Sequence, residues 1–296
     1  MMVRITGVAF ALSLVVAMAH AESRFADDVA ALRKIQYDTL PPHDPAPALK
    51  ARFASVREKH SAAGEAQLAD EDIRDYFDAA WMVAFWAHDR SSVEAMRGAF
   101  DALAQRGIAS DRQRQDMLDA YVEARLVSEA MTFAREPANA RLNPLPVFAP
   151  DDGAAGPPTL WRLTADGTIV ERVAFAIGDT PRVLVVSSPW CGFSGDATAA
   201  IAGDAALSSL VRRHSTWIMP QGPIPNFATI AKWNRDYPGW PMQIMYDEAD
   251  WPMIPSPQTP VFYFIDHGKV IETVTGWPGD AQKDKLRAAF ARAGMQ

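Results

Sequence analysis

The residue best suited to covalent chemistry is Cys191, the one cysteine in the chain. It lies in the run Ser187-Ser188-Pro189-Trp190-Cys191-Gly192-Phe193-Ser194. An apolar strand-like segment, Arg182 to Val186, precedes this run, and a helical segment from Ala197 to Arg213 follows it. The order strand, turn, helix sets the sulfur at or next to a helix N-terminus. Unpaired backbone N–H groups there stabilise an anion. A thiolate is then favoured over a thiol, and the thiolate is the nucleophile of disulfide exchange. Trp190 is expected to shield one side of the sulfur, and the Ser194 hydroxyl is placed to donate a hydrogen bond to it. The opposing reading is that of an inert, buried cysteine, which behaves as a small hydrophobe.

Other candidate chemistry is thin. His43, His60, His88, His214 and His267 show no paired metal-ligand spacing. Asp247, Glu248 and Asp250 read as a solvated acidic loop. Ser187 and Ser188 lack a surrounding Gly-x-Ser-x-Gly, so a serine hydrolase is poorly supported. Trp233, Trp240 and Trp251 are read as core, with a groove beside the cysteine as the alternative. No metal and no cofactor is expected.

Two regions with different punctuation must position this motif. Residues 22–145 read as helical, with no proline between Pro47 and Pro137. Ile73, Tyr76, Phe77, Ala80, Trp81, Ala84 and Phe85 follow helical spacing across Asp70 to His88. Val93, Met96, Phe100 and Leu103 mark a second helix ending near Gly107. A third segment, Asp111 to Arg135, is expected to break once. The region is a bundle or a short array of helical hairpins, and the run from Pro41 to Pro47 is a rigid connector. Residues 146–158 are rich in proline and glycine and read as a linker. From 159 to 296 strands and helices alternate. Leu160 to Leu163 and Thr168 to Val173 flank an Asp166-Gly167 turn. Thr216 to Met219 and Met242 to Tyr246 read as strands, with a helix from Asn226 to Arg235 between them. Val261 to Ile265 and Lys269 to Thr275 form a hairpin, and Asp280 to Ala293 closes the chain as an amphipathic helix. The expected fold class is α/β with a mixed sheet, preceded by an all-α domain.

Composition narrows the function further. With 29 Lys plus Arg against 36 Asp plus Glu, the chain has a formal charge of −7. Nucleic acid rewards clustered cations, so it is not an expected partner. A single cysteine excludes an intrachain disulfide and a cysteine-rich zinc site. Residues 1–21 read as a secretory signal, with Arg4, an apolar run from Val8 to Met18, and Ala19-His20-Ala21 before the cleavage point. That run is about half the ~20 residues a spanning helix needs, so a stable membrane anchor is not expected.

Residues 159–296 resemble the thioredoxin-like superfamily. Trp190-Cys191-Gly192-Phe193-Ser194 after an apolar strand is similar to the W-C-G-P-C site, with Ser194 in place of the second cysteine. Gln258-Thr259-Pro260 ahead of the hairpin is similar to the segment carrying that superfamily's cis-proline. Val261 to Asp266 and Gly268-Lys269, through Thr275-Gly276-Trp277-Pro278, resemble the tail of periplasmic thiol:disulfide interchange proteins. The resemblance implies a cis bond at Thr259–Pro260, facing Cys191, with Thr259 offering backbone groups to an extended substrate. It also implies a periplasmic location in a Gram-negative bacterium. Cys191-Gly192-Phe193-Ser194 with Pro189 matches the monothiol glutaredoxin signature too. That family binds glutathione and an iron–sulfur cluster. The domain here is longer, and it lacks a Lys before the cysteine and a Gly-Gly-Asp pattern after the last strands.

Two departures from thioredoxin matter. The buried carboxylate six residues before the nucleophile is replaced by Val185, and no resolving thiol exists. The expected activity is monothiol exchange with protein thiols or disulfides through Cys191, completed by a substrate thiol or an external reductant. The alternative is a redox-silent scaffold whose helical domain binds partners. Oligomeric state is left open.

Overall fold

The computed structural model describes residues 23–39, 44–64, 67–150, 153, 156, 158–178, 180–222, 226–254 and 258–296. The signal-like segment 1–21, the first prolines of the connector, His43 and parts of the linker lie outside the described residues.

Among the described residues, six α-helices make up the N-terminal region: α1 (Ala26–Asp38), α2 (Ala46–Ala63), α3 (Asp70–Ala87), α4 (Arg90–Gln105), α5 (Asp111–Glu123) and α6 (Val127–Ala134). Local chemistry sets their starts. Asp89 accepts from Ser92 N to cap α4, and Ser110 and Gln113 form a capping box at α5. The connector ends as the first turn of α2, where Pro47 is tolerated because its missing N–H has no partner there. Helix α3 is the hub and packs against α1, α2, α4 and α5. It can do so because Ile73, Tyr76, Phe77, Ala80, Val83 and Ala84 bury more than one of its faces. The expected break in the third segment falls at Ala124–Leu126, where Arg125 takes a left-handed φ of 59°.

The C-terminal part holds one eight-stranded mixed sheet. Its strands are β1 (Val147–Phe148), β2 (Thr159–Leu163), β3 (Ile169–Ala174), β4 (Arg182–Val186), β5 (Ser215–Met219), β6 (Met242–Met245), β7 (Val261–Asp266) and β8 (Lys269–Thr275). Their order is β1-β3-β2-β6-β5-β4-β7-β8. Strands β4, β5 and β6 are parallel, while β7 runs antiparallel to β4 and pairs with β8 in a hairpin. Strand β1, within the stretch read as linker, adds a parallel edge to β3. Among the described residues, four α-helices complete this part: α7 (Gly192–Ala202), α8 (Ala205–His214), α9 (Phe227–Asp236) and α10 (Ala281–Arg292). The expected single helix after Cys191 is two helices. Asp204 caps the second by accepting from Leu207 N, and Gly203 ends the first.

Alternation along the central strands feeds two cores. Val183, Val185, Trp217, Met219, Phe262 and Phe264 pack with Ile201, Val211, Ile230, Leu286 and Phe290 of the covering helices. Leu184, Val186, Ile218, Tyr263 and Ile265 face the other way, onto Trp251, Phe175 and Ile177. The first core is continuous with the buried residues of α1–α6.

Arg125 locks the two regions together. It is half-buried and donates Nε to Tyr246 O at 2.9 Å, Nη2 to Gln221 O at 3.4 Å, and Nη2 to Met245 O. Its guanidinium lies 4.0 Å from the Trp161 ring centroid. Burial pushes its pKa down to about 9, still charged at neutral pH. Gln221 reinforces the joint, donating Nε2 to Glu123 O and N–H to Glu248 Oε1. Beside this joint, a small cavity separates Gln115, Leu118, Asp119 and Val122 of α5 from Asn143–Leu145 and the start of α9.

Candidate functional site

Strand β4 delivers the motif. It is buried throughout its last four residues, and Ser187 N donates to Ile218 O as the strand leaves the sheet. The chain then turns, with Trp190 N donating to Ser188 Oγ and Cys191 N to Ser188 O at 3.1 Å. Cys191 occupies the N-cap of α7, with φ −83° and ψ 116°. In that position a side-chain acceptor receives N–H groups from the second and third helical residues. Here the side chain is a sulfur that makes no close capping hydrogen bond, though the Phe193 and Ser194 N–H groups still lower its pKa.

The electrostatics of Cys191 follow from this geometry. Partial burial of the sulfur raises its pKa. Hydrogen bonds from the Thr259 side chain, from the Ser194 backbone and hydroxyl, and from the Phe193 N–H outweigh that effect. The net pKa lies below the ordinary thiol value. One contact opposes the trend. Sγ also donates to Thr259 O at 3.2 Å, and a carbonyl oxygen favours the thiol. The donors to the thiolate are more numerous, so the direction stands.

The five sequence-derived site residues come together. The Thr259–Pro260 bond is cis, and Thr259 lies against the sulfur. Pro260 O accepts from Gly276 N at 2.8 Å, which ties the Gly276-Trp277-Pro278 segment to the site. Ser194 is fully buried. Its Oγ accepts from Ser188 N, and its carbonyl accepts from Thr198 Oγ at 2.7 Å. Trp190 keeps 59% of its surface exposed, so it offers a contact face more than a shield. Phe193, not singled out as a contact residue from sequence, is 61% exposed on the next turn. Val185 is buried, and Ser187, two residues on along the same face, keeps a buried Oγ with no hydrogen-bond partner.

Residues left open by the sequence fall elsewhere. Trp233 and Trp240 are buried around Trp217, and Trp251 is buried on the opposite face, so all three are core. His60 stacks on Tyr76 with centroids 3.8 Å apart. His267 takes a left-handed turn and pairs with Asp266. Glu248 is spent on Gln221 N, and Asp247 on Ala249 N. Among the described residues no three His, Cys, Asp or Glu side chains gather as a cation site.

The helical region reaches the strand next to the site. Ser187 bonds the end of β5, and Gln221 and Gly222 follow β5 directly. Glu123 and Arg125 hold Gln221, and His88 lies against Gly222. Sequence spacing gives no sign of this joint, because the partners are about a hundred residues apart.

No protein-family model and no curated protein matches the chain. Among solved structures, a thioredoxin-like protein from Bacteroides caccae ATCC 43185 aligns at 12% identity, over 77% of this chain and 84% of its own, with a TM-score of 0.31. A superposition that loose fixes no residue correspondence. The chain's own topology has a parallel β4 leading to Cys191 and α7, a cis Thr259–Pro260 bond before the antiparallel β7–β8 hairpin, and a closing helix.

Proposed function

We propose that this is an exported, monothiol thioredoxin-like protein that exchanges disulfides with protein substrates through Cys191. The observation that carries the reading is the sulfur itself. It is partly exposed, occupies a helix N-cap against Thr259, and has its pKa lowered below the ordinary thiol value. The Cys191 thiolate attacks one sulfur of a substrate disulfide. That S–S bond breaks, a mixed disulfide forms, and the departing substrate thiolate takes up a proton. Ser194 cannot reverse the step. A second substrate thiolate, or an external dithiol reductant, must attack the mixed disulfide and free Cys191. Exchange driven by the substrate's own thiol is isomerisation. Exchange driven by an external dithiol is reduction.

Thr259 and Pro260 supply the backbone edge for an extended substrate segment, with Trp190 as an apolar contact. The helical region, joined beside the site through Arg125, restricts which partners can approach. Residues 1–21 act as a cleaved export signal to the periplasm. A second reading, a redox-silent interaction protein, draws support from the missing second thiol and from the Thr259 carbonyl on Sγ. Trapping decides between them. Mixed disulfides captured from the exported protein should be lost completely in Cys191→Ser. Adducts that persist in that variant, or a parent chain that captures none, overturn the exchange reading.

A further inference from the structure

Gln282 is the second residue of α10 and is only 3% exposed, yet its amide is half satisfied. Nε2 donates to Thr275 O at 2.9 Å and to Gly276 O at 3.1 Å, while Oε1 is buried with no hydrogen-bond partner. A buried oxygen without a donor costs free energy that an apolar side chain of the same length would not. What glutamine adds over such a side chain is its pair of N–H donors.

Those donors reach the Cys191 site in two steps. Thr275 C=O and Gly276 N–H belong to one planar trans peptide, so they point in opposite directions. The carbonyl points away from β7 and accepts from Gln282, and the N–H donates to Pro260 O at 2.8 Å. Gly276 has a φ of 72°, a conformation open to glycine. Gln282 bonds the carbonyls on both sides of its α-carbon and so fixes both peptide planes. Hydrogen bonds that run through one peptide polarise one another. Gln282 has a firm base, because Leu286, Ala289 and Phe290 bury the inner face of α10. Trp277 is buried beside Phe262, with ring centroids 6.2 Å apart, which anchors the next residue without setting the plane of the Thr275–Gly276 peptide. At the far end of the chain of bonds, Sγ donates to Thr259 O at 3.2 Å. Burial raises the Cys191 pKa, and the Thr259 side-chain hydrogen bond is the largest of the contributions that lower it. A displaced Pro260 is therefore felt at the sulfur.

We infer that Gln282 is a positioning residue for Cys191: through the Thr275–Gly276 peptide it sets Pro260, and with it the Thr259 groups that meet the sulfur. The inference rests on the exchange reading for its use, since Thr259 and Pro260 are there the edge offered to substrate, but not for its readout.

The test compares Gln282→Met with the parent, both folded and full-length with Cys191 reduced. Methionine matches the length and lacks the donors. The readout is the pH dependence of iodoacetamide alkylation, taken well below the melting temperature of each protein. At a pH below the parent's apparent pKa the variant should react about threefold more slowly, the sign of a pKa raised by ~0.5. Leu32→Ala is the control. Leu32 is fully buried in α1, which packs on α2 and α3, so its truncation should lower the melting temperature and leave the alkylation profile at the parent's. A Gln282→Met profile that overlies the parent's overturns the inference. The same slowing in Leu32→Ala also overturns it, because the effect is then one of lost stability. Should Gln282→Met fail to fold, Gln282→Glu keeps the shape and donates at most one of the two bonds, and a parent-like profile there counts equally against Gln282. Failure of the exchange reading shows separately, as a parent that traps no partner while the alkylation difference stands.

Discussion

Asp119→Asn should stabilise this protein, and only above a defined pH. Asp119 lies on α5 beside the cavity at the joint of the two regions. Burial pushes its carboxyl up from 3.8 to about 6. A hydrogen bond from Gln115 Nε2 at 2.7 Å lowers it, and the charge of Asp116 adds to the rise. A pKa raised on folding means that the folded state disfavours the carboxylate. Above pH 6 the group is ionised in both states and folding bears the full cost. As pH falls from 6 to 3.8 the folded state takes up its proton first, and the cost disappears. A shift of about two units at 1.36 kcal/mol each gives about 3 kcal/mol, a ceiling because the side chain keeps some exposure. Asparagine carries no charge and retains an oxygen for Gln115. Urea unfolding at pH 8 and pH 4 measures the effect. The variant should exceed the parent by up to about 3 kcal/mol at pH 8 and match it at pH 4. Equal stability at pH 8, or a gain that is the same at both values, refutes the reasoning.

Two further substitutions probe the joint beside the site. Arg125→Met removes the donors to Gln221, Met245 and Tyr246 and leaves buried carbonyls unpaired, so a loss of at least about 3 kcal/mol is expected in urea unfolding. Gly222→Ala would place a Cβ 2.4 Å from His88 Nε2. Burial already holds His88 neutral, with its pKa lowered to about 4, so the ring has to move, and a cost of about 1–3 kcal/mol should appear in the same assay.

Much of the site was legible in the sequence because its signals are local. An apolar run, a Trp-Cys pair and a following helix set the sulfur at an N-cap, while the cis bond opposite it followed only from the resemblance around Gln258-Thr259-Pro260, since an X-Pro pair alone reads as trans. The α7–α8 division was also written locally, in Gly203-Asp204, a helix stop followed by a cap, but the apolar spacing continues across it. Helices α1 and α2 were not resolved individually, since α2 starts inside the proline run that reads as a connector. Strand β1 has two residues, too few for a period. The joint at Arg125 was out of reach because a single arginine after a helix looks like a surface residue. Its burial depends on carbonyls from β6 and the loop after β5, which only the tertiary fold supplies. Trp190 shows the reverse error: a residue expected to cover the sulfur stands mostly in solvent.

The central claim is that the N-terminus of α7 holds Cys191 accessible and with a lowered pKa. Its most direct test is the rate of Cys191 alkylation by iodoacetamide as a function of pH, in the folded protein. The account predicts rapid reaction with an apparent pKa clearly below the ordinary thiol value, and loss of that advantage when the protein is unfolded in urea. Slow reaction in the folded state, or an apparent pKa at or above the ordinary value, would contradict it.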